Sequence, residues 1–222
     1  MRFLAVNLGY LRVLRVCVGV SARVDSLILQ WVVLEVNMLS VIPVLMGGQR
    51  GRGAYTRAGY FIRQRCASLV FIFRLVLGLE KSGALALTMF RLLFKLGIPP
   101  FHSWVMNVLP GLSLSSAVVV FTVQKFTPLV VLSHTGLGLG WLAVVMVASL
   151  VVLLVRAERV VSVYTVLFLS SVRNGMWLLR LVSFGGGWVI YLWVYSFMVA
   201  SLVFTLKSIG LFSIGHIRGL PV

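Results

Sequence analysis

The stretch Phe94-Lys95-Leu96-Gly97-Ile98-Pro99-Pro100-Phe101-His102-Ser103-Trp104 ends a hydrophobic segment with a lysine, a glycine and two prolines. The stretch Phe121-Thr122-Val123-Gln124-Lys125-Phe126-Thr127-Pro128 places a second lysine before a proline, inside the next hydrophobic segment. An ammonium at mid-bilayer is costly, and proline removes a helical hydrogen bond. Irregular backbone survives at membrane depth only inside protein or beside water. The two stretches therefore predict broken membrane helices around buried lysines.

The overall composition places the chain in a membrane. Of its 222 residues, 60% are hydrophobic and 11% are charged, so there is too little polar surface to cover a soluble globule. The formal net charge of +16 would suggest nucleic-acid binding in a soluble protein. Here the basic residues alternate with apolar segments, so we expect them beside lipid head groups and expect no nucleic-acid partner.

The apolar segments predict an all-α fold, a polytopic transmembrane helix bundle of about eight spans with broken helices. The segments run over 3–20, 27–46, 60–79, 83–98, 112–133, 137–155, 160–182 and 188–206, in a single membrane domain over 1–222. The basic loop residues favour an N-terminus in the cytoplasm or the mitochondrial matrix. The loops on that side carry Arg50, Arg52, Arg57, Arg156, Arg159, Lys207 and Arg218, and the opposite loops carry Arg23, Lys81 and Arg180.

Glu35 is a candidate proton-transfer residue. It lies in the middle of residues 27–45, an apolar stretch with no other charged residue. A carboxylate at this depth needs a cationic partner or takes up a proton, and either outcome fits proton transfer. The alternative is a fixed pair with Arg63 or Arg65 that only holds helices together. Asn37 is expected to hydrogen-bond to another helix.

Lys95 and Lys125 are candidates for the same role. Arg91 precedes Lys95 by one helical turn, and repulsion between the two cations favours loss of the lysine proton. The alternative for Lys95 is snorkelling to the interface, because it lies near the end of its helix. Lys125 is deep in its segment. We expect carbonyls freed by Pro128 to hold water beside its ammonium, together with Gln124, Thr122 and Thr127.

Two histidines are further candidates for proton relay. His102 follows the Lys95 segment, and His134 lies at the far end of the Lys125 segment; an imidazole titrates near neutrality. The alternatives are an ordinary loop histidine and an ordinary interfacial histidine. Cys17 and Cys66 are expected to be unpaired, and the spacing of cysteines and histidines predicts no zinc or iron–sulfur site in this chain.

Three stretches resemble the chain 2 family of NADH:ubiquinone oxidoreductase, respiratory complex I. Residues 31–45, WVVLEVNMLSVIPVL, are similar to the family pattern W-x-x-L-E-x-N-x-L-x-x-I-P-x-L. Residues 95–105, KLGIPPFHSWV, are similar to K-x-G-x-x-P-F-H-x-W-x. Residues 111–114 and 124–129, GLSL and QKFTPL, are similar to G-x-x-L and Q-K-x-x-P-L at the expected separation. A fourth, weaker similarity covers residues 169–177.

The resemblance implies an antiporter-like membrane subunit that takes part in proton translocation coupled to quinone reduction elsewhere in the complex. It implies that Glu35 and Lys95 form a buried pair and that Lys125 is the next site along a hydrophilic axis. It also implies a mitochondrial inner-membrane location with the N-terminus in the matrix, other membrane subunits as partners, and no redox site or cofactor in this chain. NADH, FMN, iron–sulfur clusters and ubiquinone then belong to the complex as a whole.

Two departures from the family pattern bear on these expectations. The family continues into a further broken helix with another lysine, whereas this chain ends at Val222. We therefore expect the closing helices to be missing or encoded separately. Arginines inside apolar segments, among them Arg63, Arg65, Arg74 and Arg91, mark a divergent sequence. The alternative functions are a structural scaffold with buried charge pairs and a cation/proton antiporter subunit.

Overall fold

The regular elements that the structure describes are all helices. The computed structural model describes residues 2–24, 26–45, 52–76, 81–136, 138–157 and 162–209. Within these ranges the chain forms α1 (Arg2–Ser21), α2 (Leu27–Val44), α3 (Arg52–Val76), α4 (Lys81–Leu96), α5 (Ser103–Val108), a 3₁₀ turn (Leu109–Gly111), α6 (Leu114–Phe121), α7 (Val123–Thr135), α8 (Leu139–Ala157), α9 (Val163–Ser183) and α10 (Trp188–Ile209).

Among the described residues, three stretches of helix are long and apolar enough to cross a membrane. They are Leu114–Thr135, which contains α6 and α7, Leu139–Ala157, and Trp188–Ile209. A shorter apolar stretch, Ile28–Pro43, lies within α2. Large apolar side chains on α8 and α10 stay exposed, as on Leu154 and Phe197. Exposed apolar faces on long helices fit a membrane helical bundle, as the composition predicts.

The first predicted irregularity, at Pro99 and Pro100, is confirmed. Helix α4 ends at Leu96, and Gly97 adopts a φ of +64°. A Cβ at this position would overlap the side chain of Val105, so only glycine fits the turn. Residues 98–102 form a non-helical connection, and α5 begins at Ser103.

The second irregularity is displaced from the predicted position. The break between α6 and α7 lies at Thr122, where φ is −113° and ψ is −75°, while Lys125 to Pro128 are helical. A proline removes the bond to the carbonyl four residues earlier and crowds the preceding turn. For Pro128 that carbonyl belongs to Gln124, two residues after the break. The interruption at Thr122 therefore lies before the turn that Pro128 disturbs.

Helix α7 lies at the centre of the bundle. It packs against α1, α2, α4, α6 and α9, and Lys125 and Thr127 on it are buried. Asn37 Nδ2 on α2 donates a hydrogen bond to Thr127 Oγ1 at 3.2 Å, which confirms the expected interhelical role of Asn37. Side chains on α7 can thus meet groups from several helices at once.

Candidate functional site

Glu35 and Lys95 form a buried ion pair. Lys95 Nζ on α4 lies 3.0 Å from Glu35 Oε1 on α2, and both residues are buried. The predicted contact between them is confirmed. Lys95 does not snorkel to the surface, because its ammonium is held inside the bundle by the carboxylate.

Helix α3 supplies two more groups to the same carboxylate. Arg65 Nη1 lies 2.9 Å from Glu35 Oε2, and Ser68 Oγ donates a hydrogen bond to Glu35 Oε1. Residues three apart lie on one helix face, so Arg65 and Ser68 reach Glu35 together. Of the two arginines considered as partners, Arg65 is the one that binds Glu35, while the Arg63 guanidinium folds back beside Gly59 of its own helix.

The carboxylate is surrounded by more positive than negative charge. Arg91 is buried one turn before Lys95 on α4, as the spacing predicts. Arg65 and Lys95 thus both pair with Glu35, and Arg91 adds a third cationic side chain near Lys95. Of these three cationic side chains, only the lysine can exchange its proton, because an arginine stays charged.

Lys125 is held by α9 and α10. Its Nζ donates to the Ser171 carbonyl oxygen at 3.0 Å and to Ser171 Oγ at 2.7 Å, and it lies 5.5 Å from the centroid of the Tyr195 ring. Gly175 lies one turn after Ser171, and a Cβ there would come within 3.9 Å of Lys125 Nζ. The small residues on α9 make room for the ammonium.

The expected surroundings of Lys125 are wrong in part. Thr122 Oγ1 donates to the carbonyl oxygen of Val118, and Thr127 Oγ1 accepts from Asn37, so both hydroxyls are engaged elsewhere. Gln124 does face the site, since it lines the cavity beside Lys125. The long side chain of Lys125 carries its ammonium away from α7, so its hydrogen-bond partners come from the neighbouring helix α9.

A cavity of about 10 Å³ lies between the two lysines. Lys95 and Lys125 both line it, together with Tyr60, Gln64, Leu96, Gly97, Trp104, Val105, Val120, Phe121, Gln124 and Ser171. Tyr60 Oη donates to Gln124 Oε1 at 3.4 Å across this space. The volume corresponds to about one water molecule, and the polar lining offers it hydrogen-bond partners.

Comparison with known proteins points to one protein family. No family model matches the chain. NADH-ubiquinone oxidoreductase chain 2 of Lemur catta is 29% identical over 200 residues, which are 84% of this chain and 55% of that protein. The namesakes from Phoca vitulina and Megaderma spasma are 37% and 39% identical over 116 residues, which are 47% of this chain and 33% of each protein. The resemblance to NADH-ubiquinone oxidoreductase chain 2 is confirmed.

The chain spans about half the length of the chain 2 protein from Lemur catta. A solved structure shows the same fold: a chain of respiratory complex I from Thermus thermophilus with bound aureothin gives a TM-score of 0.74 at 21% identity. The superposition covers 84% of this chain and 48% of that chain. This chain therefore shares its fold with a chain of that complex.

Neither candidate histidine belongs to the described lining of the cavity. The His102 ring stacks on Phe168 with centroids 5.8 Å apart, and its Nδ1 lies 3.3 Å from the Pro100 carbonyl oxygen. Burial lowers the pKa of this loop imidazole. His134 is exposed in the last turn of α7. The relay role of both histidines stays a prediction.

Sequence reasoning missed three groups of the site: Ser68, Ser171 and Tyr195. Each lies on a different helix from the charge it contacts. Ser171 falls within the fourth similarity to chain 2, residues 169–177, which could have marked it. Ser68 lies three residues from Arg65, so the helix period could have paired the two. Tyr195 carries no signal within its apolar helix.

Proposed function

We propose that the chain is a membrane subunit of respiratory complex I that takes part in proton translocation coupled to NADH oxidation and ubiquinone reduction. The observation that carries the proposal is a continuous row of polar groups in the interior, from α2 to α7. Glu35 pairs with Lys95, and the cavity joins Lys95 to Lys125. Buried ionisable groups in membrane helices are costly and mark ion pathways. The relatives' names support the choice of complex.

Within this proposal the two lysines exchange a proton through the cavity between them. A lysine in a low-dielectric site can give up its proton, so it can act as both acceptor and donor. Room for one water between Lys95 and Lys125 supports a short hydrogen-bonded bridge. Glu35 and Ser171 hold the ammonium groups at the two ends of this bridge. The chain then contributes no redox step, and electron transfer belongs to other subunits.

The proposal includes a topology and a location. Helices α1 to α4, the α6–α7 pair, and α8 to α10 would each cross the membrane, giving eight spans in one membrane domain. The N-terminus would face the matrix of a mitochondrion whose inner membrane holds the complex. The contact between Lys207 on α10 and Ser115 on α6 supports this alternation, because it joins the end of one crossing to the start of another on the same side. Neighbouring antiporter-like subunits are the proposed partners.

The proton-to-electron ratio of the assembled complex in sealed vesicles tests the function. Lys125→Ala should lower the ratio while NADH oxidation continues, with values normalised to complex content. Lys207→Ala is the matched control, because Lys207 is an exposed lysine at the end of α10. An unchanged ratio in Lys125→Ala would reject a role for this site in translocation.

A structural scaffold is the second candidate function, and the Arg65–Glu35 pair favours it. A carboxylate held by an arginine has a permanent counter-ion and needs no proton exchange. The two functions differ in what they ask of Lys125. A scaffold tolerates arginine at this position, because the charge survives, whereas translocation requires a group that can lose its proton.

A further inference from the structure

The outward face of α9 carries a regular row of side chains. We call this row the α9 ridge; it consists of Val166, Ser170, Arg173, Trp177, Arg180 and Phe184. Its members alternate four and three residues apart, the spacing that places side chains along one side of a helix and forms the seam between paired helices. Arg173, Trp177 and Arg180 are exposed. The opposite face of α9 is buried against α7, where Ser171 contacts Lys125.

Arg173 lies at the midpoint of α9, and in the proposed topology, in which α9 crosses the membrane, this is mid-membrane depth. Helix α9 runs Val163–Ser183, so Arg173 is ten residues from either end, about 15 Å at 1.5 Å per residue. Helices α8 and α10, both apolar enough to cross a membrane, pack on either side of α9. An arginine side chain is shorter than the distance to either interface, so Arg173 cannot reach a lipid head group by snorkelling.

The described part of this chain offers Arg173 no counter-ion. Its ion pairs join Glu35 to Arg65 and to Lys95, and none includes Arg173. The chain has four acidic residues, of which only Glu35 lies in a described helix, and its carboxylate is already engaged. The neighbouring polar group on α10 is neutral: Tyr191 Oη donates to Asn174 Oδ1 at 2.7 Å.

Arg180 differs from Arg173 both in its position along α9 and in having partners for its charge. It lies in the last turn of α9, which the proposed topology places close to the membrane surface. Its guanidinium lies 5.8 Å from the Trp177 ring centroid and 5.9 Å from that of Phe184. A cation stacked on aromatic faces near the interface is stabilised where it is. The charge on the ridge that still needs a partner is therefore Arg173.

We propose that the α9 ridge binds a transmembrane helix of a neighbouring subunit, which carries an aspartate or glutamate at mid-membrane depth opposite Arg173. The inference rests on the proposed function for the identity of the neighbour as a subunit of the same complex, and on the proposed topology for the depth of Arg173. A guanidinium exposed to lipid at this depth is strongly unfavourable, and a carboxylate binds it in a planar, two-point geometry. Val166 and Trp177 supply the apolar contacts on either side.

A zero-length cross-link tests the inference directly. Arg173→Lys keeps the charge and adds an amine, and a membrane-permeable carbodiimide condenses that amine with a carboxylate in contact, forming an amide as the carbodiimide takes up the water. In the purified complex carrying Arg173→Lys, we expect a cross-linked peptide that contains an Asp or Glu from inside a transmembrane segment of another subunit. The unsubstituted chain is the control, because arginine forms no such amide.

Assembly gives the second measurement. Arg173→Gln should reduce the amount of assembled complex by about tenfold or more, since it leaves the partner carboxylate buried and unpaired. Arg173→Lys should restore assembly, and Arg156→Gln, at the exposed end of α8, should not change it. The cross-link decides the matter: its absence overturns the inference whatever the level of assembly.

The outcome is separable from that of the proposed function. A cross-link to an intramembrane carboxylate, found together with an unchanged proton-to-electron ratio in Lys125→Ala, would support the α9 ridge as an interface and reject translocation. A reduced ratio without any cross-link would leave translocation standing and overturn the interface.

Discussion

Lys125 and Ser171 are joined by two contacts from a single ammonium, one to the serine carbonyl oxygen and one to its hydroxyl, at 3.0 and 2.7 Å. The two residues are 46 positions apart in the sequence, on α7 and α9. The serine hydroxyl can donate or accept, while the carbonyl only accepts. Ser171 can therefore stay hydrogen-bonded to Lys125 whether the lysine is charged or neutral.

The first prediction follows from the ability of the Ser171 hydroxyl both to donate and to accept a hydrogen bond. Ser171→Ala keeps the carbonyl contact and removes the hydroxyl, so the charged lysine keeps one partner and the neutral lysine nitrogen loses its donor. We expect a lower proton-to-electron ratio with assembly retained. The measurement is the ratio in sealed vesicles, with Ser201→Ala on the exposed face of α10 as control. A ratio equal to that of the unsubstituted complex would show that the hydroxyl has no part in transfer.

The second prediction separates charge from proton exchange at Lys125. Lys125→Arg keeps the positive charge, but a guanidinium does not release its proton under physiological conditions. We expect proton pumping to fall nearly as far as in Lys125→Ala, measured per assembled complex. Full pumping with arginine would support the scaffold function and contradict the relay.

The third prediction concerns the buried pair of Glu35 and Lys95. Glu35→Gln leaves the Lys95 ammonium buried without a counter-ion, and removal of one member of a buried pair costs about 3–5 kcal/mol. We expect a sharp loss of the chain from membranes, measured as its abundance at steady state. The double variant Glu35→Gln with Lys95→Met removes both charges and should recover much of the abundance. If the double variant is no more abundant than the single one, the pair does not act as a unit.

The fourth prediction ranks Arg65 below Lys95 for stability. The side chain of Arg65 is 39% exposed, against 4% for Lys95, and Glu35 keeps Lys95 and Ser68 as partners when Arg65 is removed. We therefore expect Arg65→Ala to lower the thermal denaturation temperature less than Glu35→Gln does. Arg63→Ala, on the same helix, is the control. An effect of Arg65→Ala as large as that of Glu35→Gln would contradict this ranking.

The fifth prediction tests the turn after α4. Gly97→Ala forces a non-glycine residue to a φ of +64° and overlaps Val105; the conformational part alone costs about 1–2 kcal/mol. We expect a clear loss of abundance, whereas Gly138→Ala, where a Cβ meets nothing within 4 Å, should be close to neutral. Equal abundance of the two variants would show that the turn can rearrange.

The sequence predicted the parts of the site that follow from burial. An isolated carboxylate and an isolated ammonium in apolar segments must each find a partner, and Glu35 and Lys95 find one another. The partners of Lys125 could not be predicted in this way. They are a backbone carbonyl, a serine hydroxyl and an aromatic ring. These groups occur in many membrane helices at little energetic cost, so unlike a buried charge they do not stand out in the sequence.

Helix ends and breaks were less predictable than the segments themselves. Hydropathy predicted a segment from residue 60, but α3 begins at Arg52, because backbone hydrogen bonding continues beyond the apolar residues. The connection after His102 contains the short helix α5 (Ser103–Val108), which is too brief for a periodic pattern. The break was expected near Lys125 to Pro128 and lies at Thr122, before the turn that the proline disturbs.

The size of the cavity between Lys95 and Lys125 bears on which ion could use this route. A metal cation such as sodium travels with a shell of several oxygen ligands, and a space of about 10 Å³ cannot hold that shell. A bare metal ion would also meet two amino groups that repel it whenever either is protonated. A proton needs no coordination shell and no cavity of its own size, because it is exchanged between hydrogen-bonded groups. In the proposed route, the volume and the two amino groups thus favour proton exchange over the passage of a hydrated alkali cation.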